Sequence, residues 1–312
     1  MQDAFRLSQL LLYDDFTIQC HNFPDADAIA SEFAVYTYLV RAGKRARIVY
    51  GGSQEISKPN LVKMVELLGI PILHTPEPLP AHVLIMVDCQ RGQSNATHID
   101  ASHVYVIDHH EDSGQGTLGI IRSQLGSCAA LVWDLLKQEG FVFDDAVATA
   151  LYYGLYTDTS GFDEIGHPTD KDMRDGLNFN KNIIDSLRFN NLTLPELSIV
   201  GEALVNYKLI PQHSFAMFEA KPCDPNILGL ISDVARQAVG VDVCVVYAAL
   251  PGGHKQKAGG FIPLSKAENI SEYISERAKK FINTDMLLRI SLKFSSAGVV
   301  LQRATPSIQR HI

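Results

Sequence analysis

Cysteine is scarce and unpaired in this chain of 312 residues: Cys20, Cys89, Cys128, Cys223 and Cys244 are odd in number, widely spaced and without a CxxC pair. That pattern indicates neither a disulfide framework nor a cysteine-ligated zinc site, and a reducing cytoplasm suits it best. Long apolar runs are also absent. None approaches the roughly 20 residues needed to span a bilayer. The opening MQDAFRLSQLLLYDDF flanks a short apolar stretch with acidic residues, so neither a signal peptide nor a membrane segment is expected. Positive charge is in deficit. A formal net charge of −8 disfavours the basic stripe that tracks long duplex nucleic acid. Small phosphorylated substrates remain open, because bound divalent cations invert the local field. With 46% hydrophobic and 20% charged residues, the composition is that of a folded globular protein rather than a disordered one.

The length favours two domains, at roughly 100 to 200 residues each. A short amphipathic helix is expected over 4–13, a strand over 16–21, a helix over 28–42, a strand over 45–50 and a helix near 58–68, the β-α-β-α order of an α/β sheet. Val83-Leu84-Ile85-Met86-Val87 and Val104-Tyr105-Val106-Ile107 are apolar without alternation, as strands covered on both faces of a parallel sheet should be. Helical patterns follow at 127–139 and 145–156, and from Asn178 to about Pro195 the chain turns Asn-rich. Beyond it come strand candidates at 213–220, 241–250 and 289–294 and helices near 227–238 and 268–282. The fold expected is therefore α/β, with a parallel-sheet N-terminal domain over 1–185 and a linker with a smaller α+β domain over 186–312.

Chemistry-bearing residues gather at the ends of these elements. His21-Asn22-Phe23-Pro24-Asp25-Ala26-Asp27 places an imidazole and two carboxylates in a strand-to-helix turn. Taken alone this is an ordinary N-cap and surface turn. Asp88 and Asp108 each follow a buried strand directly, where open α/β sheets hold ligands. His109 and His110 form a tandem pair that packing does not explain, and Asp158 closes an apolar helix. Carboxylates and imidazoles without thiolate suit Mn²⁺, Mg²⁺ or Co²⁺. There are too many ligands for one ion. Two ions about 3.5 to 4 Å apart, sharing a carboxylate, would activate water for in-line attack on phosphorus. Hydrolysis of a phosphoester or phosphoanhydride follows.

In order, His-x-x-x-Asp-x-Asp, Val-Asp-Cys, Asp-His-His and Thr-Asp-Thr resemble the motifs of the DHH phosphoesterases over about residues 15–165. The resemblance implies that His21 and Asp25 bind one ion and that Asp27, His109 and Asp158 bind a second. It implies that Asp88 bridges them, that Asp108 orients a histidine, and that His110 faces the substrate phosphate; Asp108, His109 and His110 are thus the catalytic candidates. Within the family the chain is most similar to the nano-RNase and 3′-phosphoadenosine-5′-phosphate phosphatase kind, which carries a C-terminal DHH-associated domain. Gly252-Gly253-His254, opening the stretch to Gly260, looks like that domain's substrate-binding glycine-rich loop. Two departures stand out. The strand carrying an arginine that usually precedes this loop has no counterpart, leaving Arg289 or Lys293 as substitutes, and Gly126-Ser127-Cys128-Ala129 replaces a Thr-Ser-Glu-like helix start.

The expected function is hydrolysis of short oligoribonucleotides or a small 3′-phosphonucleotide by two divalent ions, Mn²⁺ first among them. Cyclic dinucleotide phosphodiesterase comes next, then pyrophosphatase or exopolyphosphatase, then a non-catalytic regulatory module, whose mark would be lost metal ligands. The expected partners are a small phosphorylated substrate or short RNA, with no long duplex nucleic acid and no membrane; a homodimer is compatible with the sequence.

Overall fold

The computed structural model describes residues 5–114, 118–189, 192–210, 215–223, 225–235, 237–241, 243–248, 292–294 and 299–303. Chain contacts divide it into two compact units, 1–191 and 192–312. The first unit runs β1 (Asp15–Gln19), α1 (Ala26–Arg41), β2 (Arg45–Tyr50), α2 (Pro59–Leu68), β3 (Ile72–His74), β4 (Ala81–Val87), β5 (Ala101–Asp108), β6 (Leu118–Ile121), α3 (Cys128–Gln138), α4 (Asp145–Asp158), α5 (Pro168–Gly176) and α6 (Lys181–Arg188). Its six strands pair in the order β3-β2-β1-β4-β5-β6, every ladder parallel.

Alternation along the central strands sorts side chains to two cores. Phe16 and Ile18 of β1, Val83, Ile85 and Val87 of β4 and Ile107 of β5 face the helices α1, α3 and α4. On the opposite face Leu84 and Met86 pack with Val49, Cys89, Ile99 and Val106. Both faces being covered, β4 and β5 read as unbroken apolar runs, whereas in β1 the buried Thr17 and Gln19 are hydrogen-bonded to Arg47 Nε and Thr97 O. α1 is buried almost continuously from Ala26 to Val35, as suits the helix packed on both α3 and α4.

The expected amphipathic α-helix over 4–13 is a 3₁₀ helix, Leu7–Leu12. No side chain caps its start at Arg6, and Leu7 and Leu10, three apart, are the two residues it buries. A 3.0-residue turn stacks them on one face. The strands β3 and β6 and the helices α5 and α6 were not anticipated. α6 lies within the Asn-rich stretch, where Asn180 caps it through Asn182 N and Ile183 N, and its Ile184 and Leu187 are buried in the first unit's core. A boundary at 185/186 would cut through this helix.

The second unit has α7 (Leu194–Val205), β7 (Lys208–Ile210), β8 (Phe215–Ala220), α8 (Pro225–Ala235), β9 (Val243–Ala248), β10 (Leu292–Phe294) and β11 (Val299–Arg303). Its sheet is mixed, ordered β10-β11-β9-β8-β7, with β8 and β9 parallel and the other pairs antiparallel. The chain is thus α/β with a smaller mixed-sheet C-terminal part. The helix expected over 268–282, Arg289 and the glycine-rich stretch 252–260 lie outside the described residues. Among those described, no helix is long and apolar enough to cross a membrane.

Candidate metal centre

The strand order reverses direction between β1 and β4: the chain leaves β1 toward β2 and leaves β4 toward β5. The crevice outside the carboxyl ends of such a pair is where doubly wound sheets bind ligands. His21, Asp25 and Asp27 follow β1, Asp88 follows β4, Asp108 ends β5 with His109 and His110 behind it, and Asp158 ends α4.

Six of these side chains form two ligand sets around a shared carboxylate. His21, Asp25 and Asp88 offer ligand atoms within 4.8 Å of one another, as do Asp27, His109 and Asp158, and Asp88, His109 and His110. His21 Nε2 lies 3.8 Å from Asp25 Oδ2 and 3.5 Å from Asp88 Oδ2. His109 Nε2 lies 3.4 Å from Asp88 Oδ1, 3.3 Å from Asp158 Oδ2 and 3.8 Å from Asp27 Oδ2. Asp88 thereby turns one oxygen to each set. It does so from a left-handed backbone, φ 57°, at the last bend of β4, where its N–H donates to Ile107 O at 3.0 Å. A non-glycine residue held there costs about 1 to 3 kcal/mol, a strain found where geometry serves a site.

The supporting contacts fix which atoms are free. Asp25 caps α1, its Oδ1 accepting from Ala28 N at 3.0 Å. Asp27, fully buried, accepts from Cys128 N at 2.7 Å and Ala129 N at 2.8 Å, the first amides of α3, whose partial positive charge favours the carboxylate. His109 Nδ1 lies 3.2 Å from Leu125 O; a carbonyl only accepts, so Nδ1 carries the proton and Nε2 is free to ligate. Asp108 is saturated. Its Oδ1 takes His109 N at 2.8 Å, His110 N at 3.3 Å and His110 Nδ1 at 2.8 Å, and its Oδ2 takes Gln90 Nε2 at 2.6 Å. It orients the loop and the His110 ring, which stays 56% exposed.

Electrostatics point the same way. Burial pushes Asp88 up, but the His109 and His21 imidazoles outweigh it and hold the carboxyl below its usual range. Burial pulls His109 down, yet Asp88, Asp27 and Asp158 together raise it to about 10. Asp27 is driven well above the carboxylate range by burial, then by Asp158 and Asp88. Negative charge is concentrated beyond what the imidazoles balance, and Asp88 Oδ1 is buried without a hydrogen-bond partner. Hard divalent cations fit this donor set of oxygens and imidazoles. The thiols of Cys20, Cys89 and Cys128 are buried beside it, pushed up by that burial, and none joins a ligand set among the described residues.

All eight sequence-predicted residues of the first unit converge here, while Gly252, Gly253 and His254 lie outside the described residues; of Lys293 only the backbone, in β10, is described. Ser127 is fully buried and caps α3 through Ala130 N at 3.0 Å. Sequence reasoning missed Gln90, which holds Asp108, Glu111 O and Ser113 N together, and Asp170, which accepts from Gly126 N at 3.0 Å. Gln90 sits next but one to Asp88, a position that could have drawn notice. Nothing in the local sequence marks Asp170.

Fold and site together define an α/β protein with an open parallel sheet and a histidine–aspartate centre suited to divalent metal. Residues 15–155, which lie within the first unit, match the family described as DHH family, N-terminal domain. The chain is 23% identical over 311 residues to an uncharacterized protein of Methanocaldococcus jannaschii, covering 88% of this chain and 64% of the relative. A probable manganese-dependent inorganic pyrophosphatase of Streptococcus mutans is 28% identical over 144 residues, 45% of this chain and 46% of that protein. A probable bifunctional oligoribonuclease and PAP phosphatase of the same organism is 23% identical over 159 residues, 50% and 49% of the two. The chain thus spans between about half and two thirds of these relatives' lengths. An exopolyphosphatase-related protein from Bacteroides fragilis shares the fold, with a TM-score of 0.69 at 16% identity over 89% of this chain and 96% of that one.

Proposed function

We propose that this chain is a metal-dependent phosphohydrolase working on small phosphorylated substrates with two divalent ions, Mn²⁺ first among them. The observation that carries the reading is the placement of Asp88, with Oδ2 3.5 Å from His21 and Oδ1 3.4 Å from His109, one carboxylate common to two ligand sets. His21 and Asp25 would hold one ion, Asp27, His109 and Asp158 the other. Bound there, divalent ions supply a polarised water as nucleophile and neutralise the charge that builds on the phosphoryl oxygens.

The chain's own groups do the rest. Asp108 pins His110 through Nδ1, which leaves Nε2 of a half-exposed ring to donate to a phosphoryl oxygen or to the leaving group. The Asp108 hydrogen bond also raises the His110 pKa and favours that donor form, against burial. Asp27, seated on the α3 amides, and His109, fixed by Leu125 O, are held before any substrate arrives.

For the substrate we favour short oligoribonucleotides or a 3′-phosphonucleotide. The oligoribonuclease and PAP phosphatase relative supports this, as does the net charge of −8, which suits small substrates better than long nucleic acid. Pyrophosphate is the second reading, favoured by the 28% identity to the pyrophosphatase relative. The deciding experiment is an Mn²⁺-supplemented hydrolysis panel of di- to pentaribonucleotides, 3′-phosphoadenosine-5′-phosphate, cyclic di-AMP and pyrophosphate, with an EDTA control. Metal-dependent release from the first two supports the favoured reading, and turnover of pyrophosphate alone replaces it with the second. If metal binds and all four substrates remain intact, the catalytic reading falls.

A further inference from the structure

The support of Asp25 and those of the Asp27 and His109 pair come from different parts of the chain. That of Asp25 lies in the β1–α1 turn, where Asp25 caps its own helix. Those of Asp27 and His109 all come from one short segment, 125–129: Leu125 O receives His109 Nδ1, and the N–H groups of Cys128 and Ala129 hold both oxygens of Asp27. That segment is itself gripped at its middle. Gly126 N donates to Asp170 Oδ2 at 3.0 Å, and Asp170, in the first turn of α5, is 0% exposed, with Oδ1 lacking any hydrogen-bond partner. An acid in the first turn of a helix ordinarily faces water, where it serves the helix dipole. Full burial against the one amide that precedes the Ser127 cap is a costly place for it unless it fixes something there.

Gly126 leaves no slack. A β-carbon at that position would stand 2.8 Å from Thr159 Cγ2 and 3.1 Å from Asp170 Oδ2. Thr159 follows Asp158 directly, so the third member of the second set also adjoins a residue that lies against Gly126. The hydrogen bond that Asp170 accepts from this segment is the one from Gly126 N.

We propose that Asp170 is a positioning residue for the second ion only: through Gly126 it sets the segment that orients His109 and Asp27, and it thereby tunes the affinity of the Asp27/His109/Asp158 set independently of the His21/Asp25 set. The proposal rests on the two-ion reading above and deepens it. Losing an outer support of a metal ligand typically costs about 10- to 100-fold in affinity, and that loss falls on one of the two ions.

The test is Mn²⁺ binding to the full chain, read by isothermal titration and by electron paramagnetic resonance, in which a spin-coupled pair differs from an isolated ion. Wild type should take up two ions and show the coupled signal. Asp170→Ala should keep the tight first ion, bind the second about 10- to 100-fold more weakly, and show the isolated-ion signal at one equivalent and at two. Asp170→Asn, which can still turn an oxygen to Gly126 N–H, should restore most of the coupled signal. Should Asp170→Ala fail to fold, Gly126→Ala takes its place, since it keeps the buried acid and disturbs the segment through its contacts with Thr159 and Asp170; the same selective loss is expected. Two wild-type-like affinities in the alanine variant, or equal weakening of both ions, would overturn the proposal. Fewer than two ions in the wild type would instead remove the two-ion reading on which it stands.

Discussion

Asp108 holds His110 by its Nδ1 at 2.8 Å while giving its other oxygen to Gln90 at 2.6 Å, so the ring most open to a substrate is aimed by a residue with no oxygen left for metal. His110→Ala should therefore lower kcat by about 10²- to 10⁴-fold, the range for a lost proton donor, while metal content stays at the wild-type value. Asp108→Asn should reproduce part of that loss, because an amide nitrogen would meet either the Gln90 amide or the His110 ring N–H as donor against donor. Metal analysis of His110→Ala separates the roles: a lost ion would make His110 a ligand, as its closeness to Asp88 and His109 would then explain.

Asp88→Ala removes the carboxylate common to both sets. Turnover should fall below detection at saturating Mn²⁺, and bound metal should drop below two per chain, with the far-ultraviolet circular dichroism unchanged. The reason is geometric: no other described side chain faces both His21 Nε2 and His109 Nε2. Substantial activity with Mn²⁺ present would show that the two sets work apart.

The candidate metal ligands were legible in the sequence because each stands at the end of an apolar strand or helix, where side chains emerge into the crevice of a parallel sheet. β4 and β5 could be read from their unbroken apolar runs for the same reason. What could not be read is what depends on contacts distant along the chain. Asp27 finds its partners at Cys128 and Ala129, and Asp170 finds Gly126, across separations that carry no local pattern. α6 was hidden because its flanks are Asn-rich and polar, and only Ile183, Ile184 and Leu187 of its residues are apolar toward the core. The 3₁₀ turn at Leu7–Leu12 carries leucines that fit an α-helical period as well, and its buried pair Leu7 and Leu10, three apart, suits either turn.

Metal should stabilise the first unit as well as activate it. The buried carboxylates repel one another without a cation, as the upward pressure of Asp158 and Asp88 on Asp27 shows. Mn²⁺ at 100 times its dissociation constant should add about 2.7 kcal/mol per site to the unfolding free energy, and EDTA should reverse the gain. Differential scanning calorimetry of the protein with and without Mn²⁺ measures it. An unchanged transition would mean that the ions bind the unfolded chain equally well or do not bind here.

Gly154 lies in the middle of α4, where alanine ordinarily stabilises a helix by roughly 0.5 to 1 kcal/mol. Here an added β-carbon would stand 3.1 Å from both Cα and Oδ1 of Asp27 and 3.2 Å from Ala129 Cβ. Asp27 cannot give way without losing its bonds to the α3 amides at 2.7 and 2.8 Å. Gly154→Ala should therefore weaken Mn²⁺ binding about tenfold or more and lower activity, whatever the helix gains. A variant that is more stable and equally active would show that α1 yields at this contact.

Tyr153 ties the unanticipated α6 to the rest of the first unit. Its hydroxyl donates to Leu187 O at 3.0 Å and accepts from Asn60 Nδ2 at 2.9 Å, joining α6 and α2 through α4. Leu187 lies in the last turn of α6, where carbonyls have no partner within the helix, and its side chain is fully buried. Tyr153→Phe keeps the ring and its packing but removes the hydroxyl's bonds to Leu187 O and Asn60 Nδ2. The expected cost is about 0.5 to 1.5 kcal/mol, which for a unit of this size lowers the melting temperature by about 2 to 4 °C per kcal/mol. Leu187→Ala should cost more, about 2 to 5 kcal/mol, since it opens a cavity in the core. If Tyr153→Phe leaves the melting temperature unchanged and Leu187→Ala does not, α6 is held by its apolar face alone and the hydroxyl bridge contributes nothing to its docking.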